Sequence, residues 1–181
     1  MLPHPTTLFP RQPVPALKLS LAGGGEFELK ALEARRSYLL VFYRGRHCPV
    51  CRTQLSALQA QAETFASRGV TLAAVSCDTK ERAEAAKSDW KLDSLDVAYG
   101  LTLEQARQWG LFITASRGKT SLGIEEPALF SEPGLFLVSA DLTLFFSSIQ
   151  SMPFVRPRPE DMLAAIDYIQ KNDYPPRGDY R

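Results

Sequence analysis

The sequence predicts an α/β protein, a layered sandwich around a central mixed sheet. Three observations carry that expectation. Apolar runs of strand length recur at Tyr38–Tyr43, Val70–Val75 and Gly134–Val138. Amphipathic helical segments alternate with the first two. The chain then closes with a strand pair and a helix, which breaks the alternation.

The elements follow in order. Residues 1–15 are Pro-rich and read as an extended arm, and 16–171 as one domain. Leu17–Leu21 and Glu26–Leu29 alternate apolar and polar residues around Gly23, Gly24 and Gly25, which predicts an N-terminal β-hairpin. Tyr38–Tyr43 is a continuous apolar run, as in a strand buried on both faces. Arg52 to Ser67 places Leu55, Leu58, Ala62 and Phe65 on one helical face and stops at Gly69. Val70–Val75 is a second buried strand. Asp78 or Thr79 can cap a helix running to about Trp90. Leu95 to Ala98 reads as a short strand and Thr102 to Trp109 as a helix ended by Gly110. Phe112 to Glu132 lacks periodicity and reads as a long loop, a kind of segment that is usually functional. Gly134–Val138 and Leu142 to Ser147 pair across a turn at Ala140 and Asp141. Pro159, Glu160 and Asp161 open a last helix with Met162, Ala165, Ile166 and Ile169 as its apolar face. Residues 172–181 read as a polar tail.

Composition narrows the function. The chain has 181 residues, 21 Lys and Arg and 20 Asp and Glu, so its net charge is +1. A dedicated nucleic-acid binder carries a marked basic excess, so no nucleic-acid partner is expected. No apolar run reaches the roughly 18 residues of a membrane helix, and Met1 to Pro15 lack the apolar core of a secretory signal. The expected location is cytoplasmic, with no membrane partner. Three cysteines, Cys48, Cys51 and Cys77, are too few for a disulfide framework. In a reducing compartment a close pair points to redox chemistry or metal binding.

Cys48 and Cys51 stand in Cys-Pro-Val-Cys, where a buried strand meets a helix. With Cys48 as N-cap, Pro49 takes the first helical position, where its missing N–H costs nothing. The Cys48 sulfur can then accept the Val50 and Cys51 amides, and the helix dipole favours a thiolate. Adjacency places Arg44 and Arg46 near it, and His47 would add positive potential if protonated. Such surroundings lower a cysteine pKa from about 8.5 into the range 3.5–7.5. One turn of helix brings the two Cβ atoms within disulfide reach, so one thiol can attack and the other resolve. Zinc needs about four ligands, and neither a second C-x-x-C nor a histidine pair is present, so no metal is expected.

Phe42-Tyr-Arg-Gly-Arg-His-Cys-Pro-Val-Cys-Arg52, followed by Gln54-Leu55, resembles the FYRGxWCPxCRxQL signature of peroxiredoxin-like proteins of the alkyl hydroperoxide reductase/thiol-specific antioxidant (AhpC/TSA) group. Gly69 to Asp78 is similar to that group's GVxLxAISxD strand, and Ala106 with Trp109-Gly110-Leu111 to its AxxWGL helix. Pro133 to Val138 resembles the segment carrying the thioredoxin-fold cis-proline. The resemblance spans roughly residues 15 to 170. It implies a thioredoxin-like fold with Cys48 and Cys51 as the redox pair and Pro133 facing them in cis. It also implies a peroxide or disulfide substrate, an external dithiol donor such as a thioredoxin-like or glutathione system, no cofactor, and in this superfamily often a homodimer.

Two family precedents assign the cysteines differently. Aligned to thioredoxin-like WCxxC proteins, Cys48 attacks. Aligned to the peroxiredoxin pattern PxxxTxxC, Cys51 is peroxidatic and Arg44 stands where the family has proline. Pro133 replaces the arginine before GLF, which favours the thioredoxin-like assignment. An N-cap sulfur is also expected to be the more exposed of the two and to receive more amide donors. His47 stands where the family usually has tryptophan.

The remaining residues have simpler readings. Cys77 is expected to pack at a strand end, and Trp109 and Phe112 to be core and loop-packing residues. No role is assigned to His4, to Arg156 and Arg158 in Arg-Pro-Arg-Pro, or to the Arg177-Gly-Asp179 triplet. The competing reading is a redox-sensing or partner-binding module in which a disulfide switches a surface.

Overall fold

Strand alternation builds the sheet, and a computed structural model describes it over residues 4, 6–31 and 36–180. The strands are β1 (Lys18–Leu21), β2 (Glu26–Glu28), β3 (Ser37–Phe42), β4 (Val70–Val75), β5 (Asp96–Tyr99), β6 (Ile113–Ala115), β7 (Leu129–Ser131), β8 (Gly134–Ser139) and β9 (Leu144–Ile149). The helices are α1 (Pro49–Ala60), α2 (Ala62–Ala66), α3 (Lys80–Asp89), α4 (Leu103–Gln108) and α5 (Pro159–Asn172). Seven strands form one sheet in the order β2-β1-β5-β4-β3-β8-β9. β3, β4 and β5 run parallel, while β8 is antiparallel to β3, β9 to β8, and β1 to β5. This is the expected mixed sheet of a thioredoxin-like α/β/α sandwich, with the N-terminal hairpin added at one edge.

Register turns the period-2 pattern into rows. Leu39 lies beside Leu72 and Leu137, and this row faces the helices α1, α2, α3 and α5. Leu40 lies beside Ala73 and Phe136, and this row faces the opposite core with Ala106 and Trp109. Trp109 is fully buried, with ring centroids 5.1 Å from both Phe42 and Phe136. Phe112, by contrast, is 42% exposed.

Several boundaries differ from the sequence expectations. α1 starts at Pro49, as expected with Cys48 as N-cap, but the helix expected to run on to Ser67 is interrupted at Gln61, whose N–H turns back to the Leu58 carbonyl. The interruption still leaves Phe65 fully buried. Thr79, not Asp78, caps α3, because its side chain accepts the Arg82 N–H. Residues 112–132 are not a loop throughout: β6 and β7 pair there as a separate two-stranded sheet, with a further bridge between Lys119 and Glu125. Three-residue strands are too short to leave a readable period. Leu142 belongs to the turn (φ 65°), so β9 starts at Leu144.

Of the N-terminal segment, residues 1–3 and 5 lie outside the described residues. Thr6 N–H donates to the Arg107 carbonyl, Val14 N–H to the Leu142 carbonyl, and Pro13 bridges to Thr143 just before β9. At the other end Asp173 ends α5 in the left-handed region (φ 48°), and Asp179 pairs with Arg11 at 2.6 Å. Among the described residues no helix is long and apolar enough to cross a membrane.

Candidate active site

The chain leaves β3 at Phe42 and enters α1 at Pro49, and everything that touches the cysteine pair is arranged around that connection. Gly45 makes the turn possible. Its φ is +132°, where only glycine is unstrained, and its Cα faces the Asp78 carboxylate closely enough that a Cβ would sit 2.6 Å from Oδ1. Cys48 is the N-cap with extended backbone, and Pro49 is the first helical residue. Cys48 Sγ accepts the Cys51 N–H at 3.4 Å and faces Arg44 Nη1 at 3.9 Å. Cys51 Sγ accepts the Arg44 N–H and Arg156 Nη2, both at 3.4 Å. Arg156 is itself held by the Gln54 side chain at 2.5 Å and the Pro153 carbonyl at 2.8 Å.

Neither cysteine has the exposure expected for the N-cap sulfur: both are reduced and buried. The amide donors are also shared, because the Cys51 N–H serves Cys48 and the Arg44 N–H serves Cys51. The two sulfurs still separate electrostatically. Cys48 is pulled down to about 6, chiefly by hydrogen bonding from the Cys51 side chain, then by the Cys51 amide and the charges of Arg156 and Arg44, against the opposing effect of burial. Cys51 is pushed well above the ordinary thiol value, first by burial and then by serving Cys48. A negative charge on this pair therefore resides on Cys48.

Around the pair lies a buried charged cluster. Asp78 accepts the Arg46 N–H at 2.7 Å and Arg82 Nε at 2.9 Å, which clamps the turn at Gly45. Arg82 Nη2 lies 3.2 Å from His47 Nδ1, and Nη1 donates to the Glu125 carbonyl. Arginine has no acceptor capacity, so His47 Nδ1 accepts and the neutral ring carries its proton on Nε2. Nε2 faces Glu126 Oε1 at 4.0 Å, beyond hydrogen-bond reach, and the ring packs edge-on to Phe130. Arg44 contacts Glu126 at 3.2 Å and Glu132 at 3.4 Å and lies 4.8 Å over Phe130.

Three sequence expectations are corrected here. His47 does not add positive charge: burial first, then Arg44 and Arg82, lower it to about 4, so it is neutral at pH 7. Arg46 brings its backbone N–H to the site, but its guanidinium turns away to Asp89 at 2.8 Å, because the Asp78 clamp fixes the peptide facing inward. Pro133 is trans, as are all peptide bonds between described residues. Its carbonyl accepts the Gln150 N–H, so the β7–β8 connection is already tied to the strand end without a cis bond.

Cys77 packs as expected, partly buried with Sγ 3.7 Å from Ser131 Oγ. Arg158 pairs with Asp161 at the surface, whereas Arg156 reaches the cysteines. Gln54 and Asp78 stood in the quoted signature segments without a role, and Arg82, Glu126, Phe130 and Glu132 were not singled out individually. The segment 112–132, expected to be functional, supplies Glu126, Phe130 and Glu132, whereas Arg156, to which the sequence assigned no role, reaches Cys51. Among the described residues no cluster of three or more His, Cys, Asp or Glu could hold a metal ion.

The neutral histidine has a measurable consequence. Unfolded, His47 binds a proton near pH 6.5; folded, only near 4. Between those values the unfolded state holds more protons, so stability falls as pH drops through the window and levels off below it. Urea midpoints from pH 7 to 4 are expected to fall more steeply for the wild type than for His47→Gln. Parallel curves would show that His47 does not titrate in this way.

A thioredoxin-like sandwich carrying a cysteine pair at a strand–helix junction defines the class: a thiol-dependent oxidoreductase. The AhpC/TSA family model matches residues 10–146. Solved structures of the same fold include a cysteine-to-serine mutant of the peroxiredoxin 6 of Arenicola marina, at 20% identity over 91% of this chain and 74% of that one, TM-score 0.72. The reduced 2-Cys peroxiredoxin of Plasmodium vivax shares 18% identity over 91% and 98% of the two chains, TM-score 0.71. Enterococcus faecalis AhpC shares 15% over 93% and 98%, TM-score 0.69. No curated protein matches the chain. The chain belongs to the AhpC/TSA family, whose general chemistry is thiol-dependent peroxide reduction.

Proposed function

We propose that Cys48 and Cys51 form the working dithiol/disulfide pair of a peroxide- or disulfide-reducing enzyme, with Cys48 as nucleophile. The observation that carries this is the N-cap sulfur of Cys48, held by the Cys51 amide at 3.4 Å and faced by Arg44. In the peroxide reaction the Cys48 thiolate attacks one peroxide oxygen and the O–O bond breaks. The sulfur becomes a sulfenic acid, and the departing alkoxide or hydroxide takes a proton. The Cys51 thiol then condenses with the sulfenic acid, releasing water and leaving the Cys48–Cys51 disulfide. An external dithiol donor, thioredoxin-like or glutathione-based, returns two electrons and two protons by exchange. With a disulfide substrate, Cys48 forms the mixed disulfide directly and Cys51 resolves it. Arg44, the neutral His47 and the Arg46 amide hold the turn, and Pro49 and Pro133 border it. A reducing cytoplasmic setting and a homodimer complete the reading.

A second assignment has one observation in its favour. Arg156 Nη2 and the Arg44 N–H both donate to Cys51 Sγ, as a peroxidatic thiolate at that position would use them. The pKa of Cys51, raised by burial and by serving Cys48, favours Cys48 as the thiolate.

The test is peroxide-dependent oxidation of dithiothreitol by the wild type across pH. Repeated turnover is expected, half-maximal near pH 6 as the Cys48 thiolate forms and near a tenth of its plateau at pH 5. A single stoichiometric oxidation with no cycling would replace this reading with the sensing module.

A further inference from the structure

Arg44 stands between one thiol and two carboxylates. Its Nη1 is 3.9 Å from Cys48 Sγ, its Nη2 3.2 Å from Glu126 Oε1 and its Nε 3.4 Å from Glu132 Oε2. All three side chains are nearly buried, at 13%, 8% and 4% exposure for Arg44, Glu126 and Glu132. Glu126 lies in the β6–β7 connection and Glu132 directly follows β7, and Phe130 of β7 forms the floor under the guanidinium.

One guanidinium and two carboxylates sum to −1 beside a sulfur that must itself become an anion. Arg156 is the other cation that favours a charge on Cys48, and the remaining cations are engaged elsewhere. Arg156 approaches from residues 151–158 and is directed at Cys51 and Gln54. Arg82 of α3 is taken up by Asp78, His47 and the Glu125 carbonyl. Arg46 leaves for Asp89, and His47 is neutral. Glu126 Oε2 has only the Arg117 N–H, and the buried Glu132 Oε2 accepts no hydrogen bond from the described residues. Arg44 is thus the cation that both carboxylates use.

We propose that Glu126 and Glu132 are positioning residues that compete with Cys48 for Arg44, so that the β6–β7 insertion sets how readily Cys48 ionises and how oxidising its disulfide is. The proposal rests on the reading of Cys48 as the attacking thiol. A guanidinium already neutralised by two carboxylates stabilises a third anion less than a free one does. A more acidic thiol is the better leaving group, so removing a carboxylate makes the disulfide more oxidising. Glutamine is the informative replacement, since its amide oxygen can keep the contact to Arg44 while the charge is removed.

The experiment is the rate of iodoacetamide alkylation against pH, read at the Cys48 peptide by mass spectrometry. It is made on the wild type, Glu126→Gln, Glu132→Gln and Glu125→Gln. The alkylation midpoint is expected to fall by roughly one pH unit in Glu126→Gln and in Glu132→Gln. Glu125 is exposed and meets Arg82 through its backbone carbonyl rather than its carboxylate, so Glu125→Gln is expected to titrate like the wild type. In a glutathione redox buffer the same two variants are expected to favour the dithiol by up to about tenfold. A midpoint that stays or rises in a folded Glu126→Gln or Glu132→Gln protein overturns the proposal for that residue, and an equal fall in Glu125→Gln reduces it to net charge. The two variants are made separately so that a folding failure in one leaves the other decisive. A wild-type Cys48 titrating near the ordinary thiol value would instead remove the nucleophile assignment, a result distinct from an unmoved variant.

Discussion

Cys48→Ser is expected to abolish peroxide-dependent turnover, lowering it by roughly a thousandfold or more, as loss of a nucleophile does. A serine hydroxyl at the helix N-cap can still accept the Cys51 amide, so the fold is expected to survive. What disappears is the only sulfur of the pair held in its anionic form near neutral pH. Cys51→Ser leaves Cys48 its amide and arginine contacts but no resolving thiol, so Cys48 is expected to accumulate as a sulfenic acid or mixed disulfide. Stopped-flow oxidation with a sulfenic-acid trap separates the two cases. Full turnover by Cys48→Ser, with the trapped adduct on Cys51, would exchange the roles and make Arg156 the arginine that stabilises the reacting thiolate.

Gly45→Ala is expected to be the most damaging single methyl group near the site. The backbone at φ +132° carries a strain of about 1–3 kcal/mol for any residue with a side chain. The added Cβ would also sit 2.6 Å from Asp78 Oδ1 and 3.1 Å from Cγ. Asp78 cannot retreat freely, because it is held by the Arg46 N–H and by Arg82 Nε at 2.7 and 2.9 Å. Either the turn shifts, moving the Arg44 N–H away from Cys51, or the clamp opens and leaves a buried carboxylate unpaired. Chemical denaturation is expected to show a loss of about 3 kcal/mol or more, with turnover reduced in the protein that remains folded. Wild-type stability with wild-type turnover would show that the turn adapts and that the Asp78 clamp does not govern the site.

The larger part of the sheet was legible because its signals are local. Tyr38–Tyr43, Val70–Val75 and Gly134–Val138 are apolar runs that make sense only when buried on both faces, and all three lie within a residue of β3, β4 and β8. The β6–β7 strands escaped notice because each is three residues long, without the triple-glycine turn that marked β1 and β2, and because Phe130 is covered by Arg44 and His47 from a distant part of the chain. The trans bond at Pro133 escaped for a different reason: a resemblance supplied the expectation of cis, and nothing in the local residues specifies the isomer.

By itself the sequence determined the cysteine pair and its place. Cys-Pro-Val-Cys after a buried strand specifies an N-cap, a proline at the first helical position and a second thiol one turn on, all within a few bonds. Tertiary structure alone decided which charges surround that pair. Arg156 reaches Cys51 from 105 residues away, and Glu126 reaches Arg44 across 82. Burial, which no local pattern reports, makes His47 neutral, and the Asp78 clamp turns the Arg46 side chain outward. Chain connectivity sets the dithiol, whereas its ionisation depends on desolvation and on charges brought together through space.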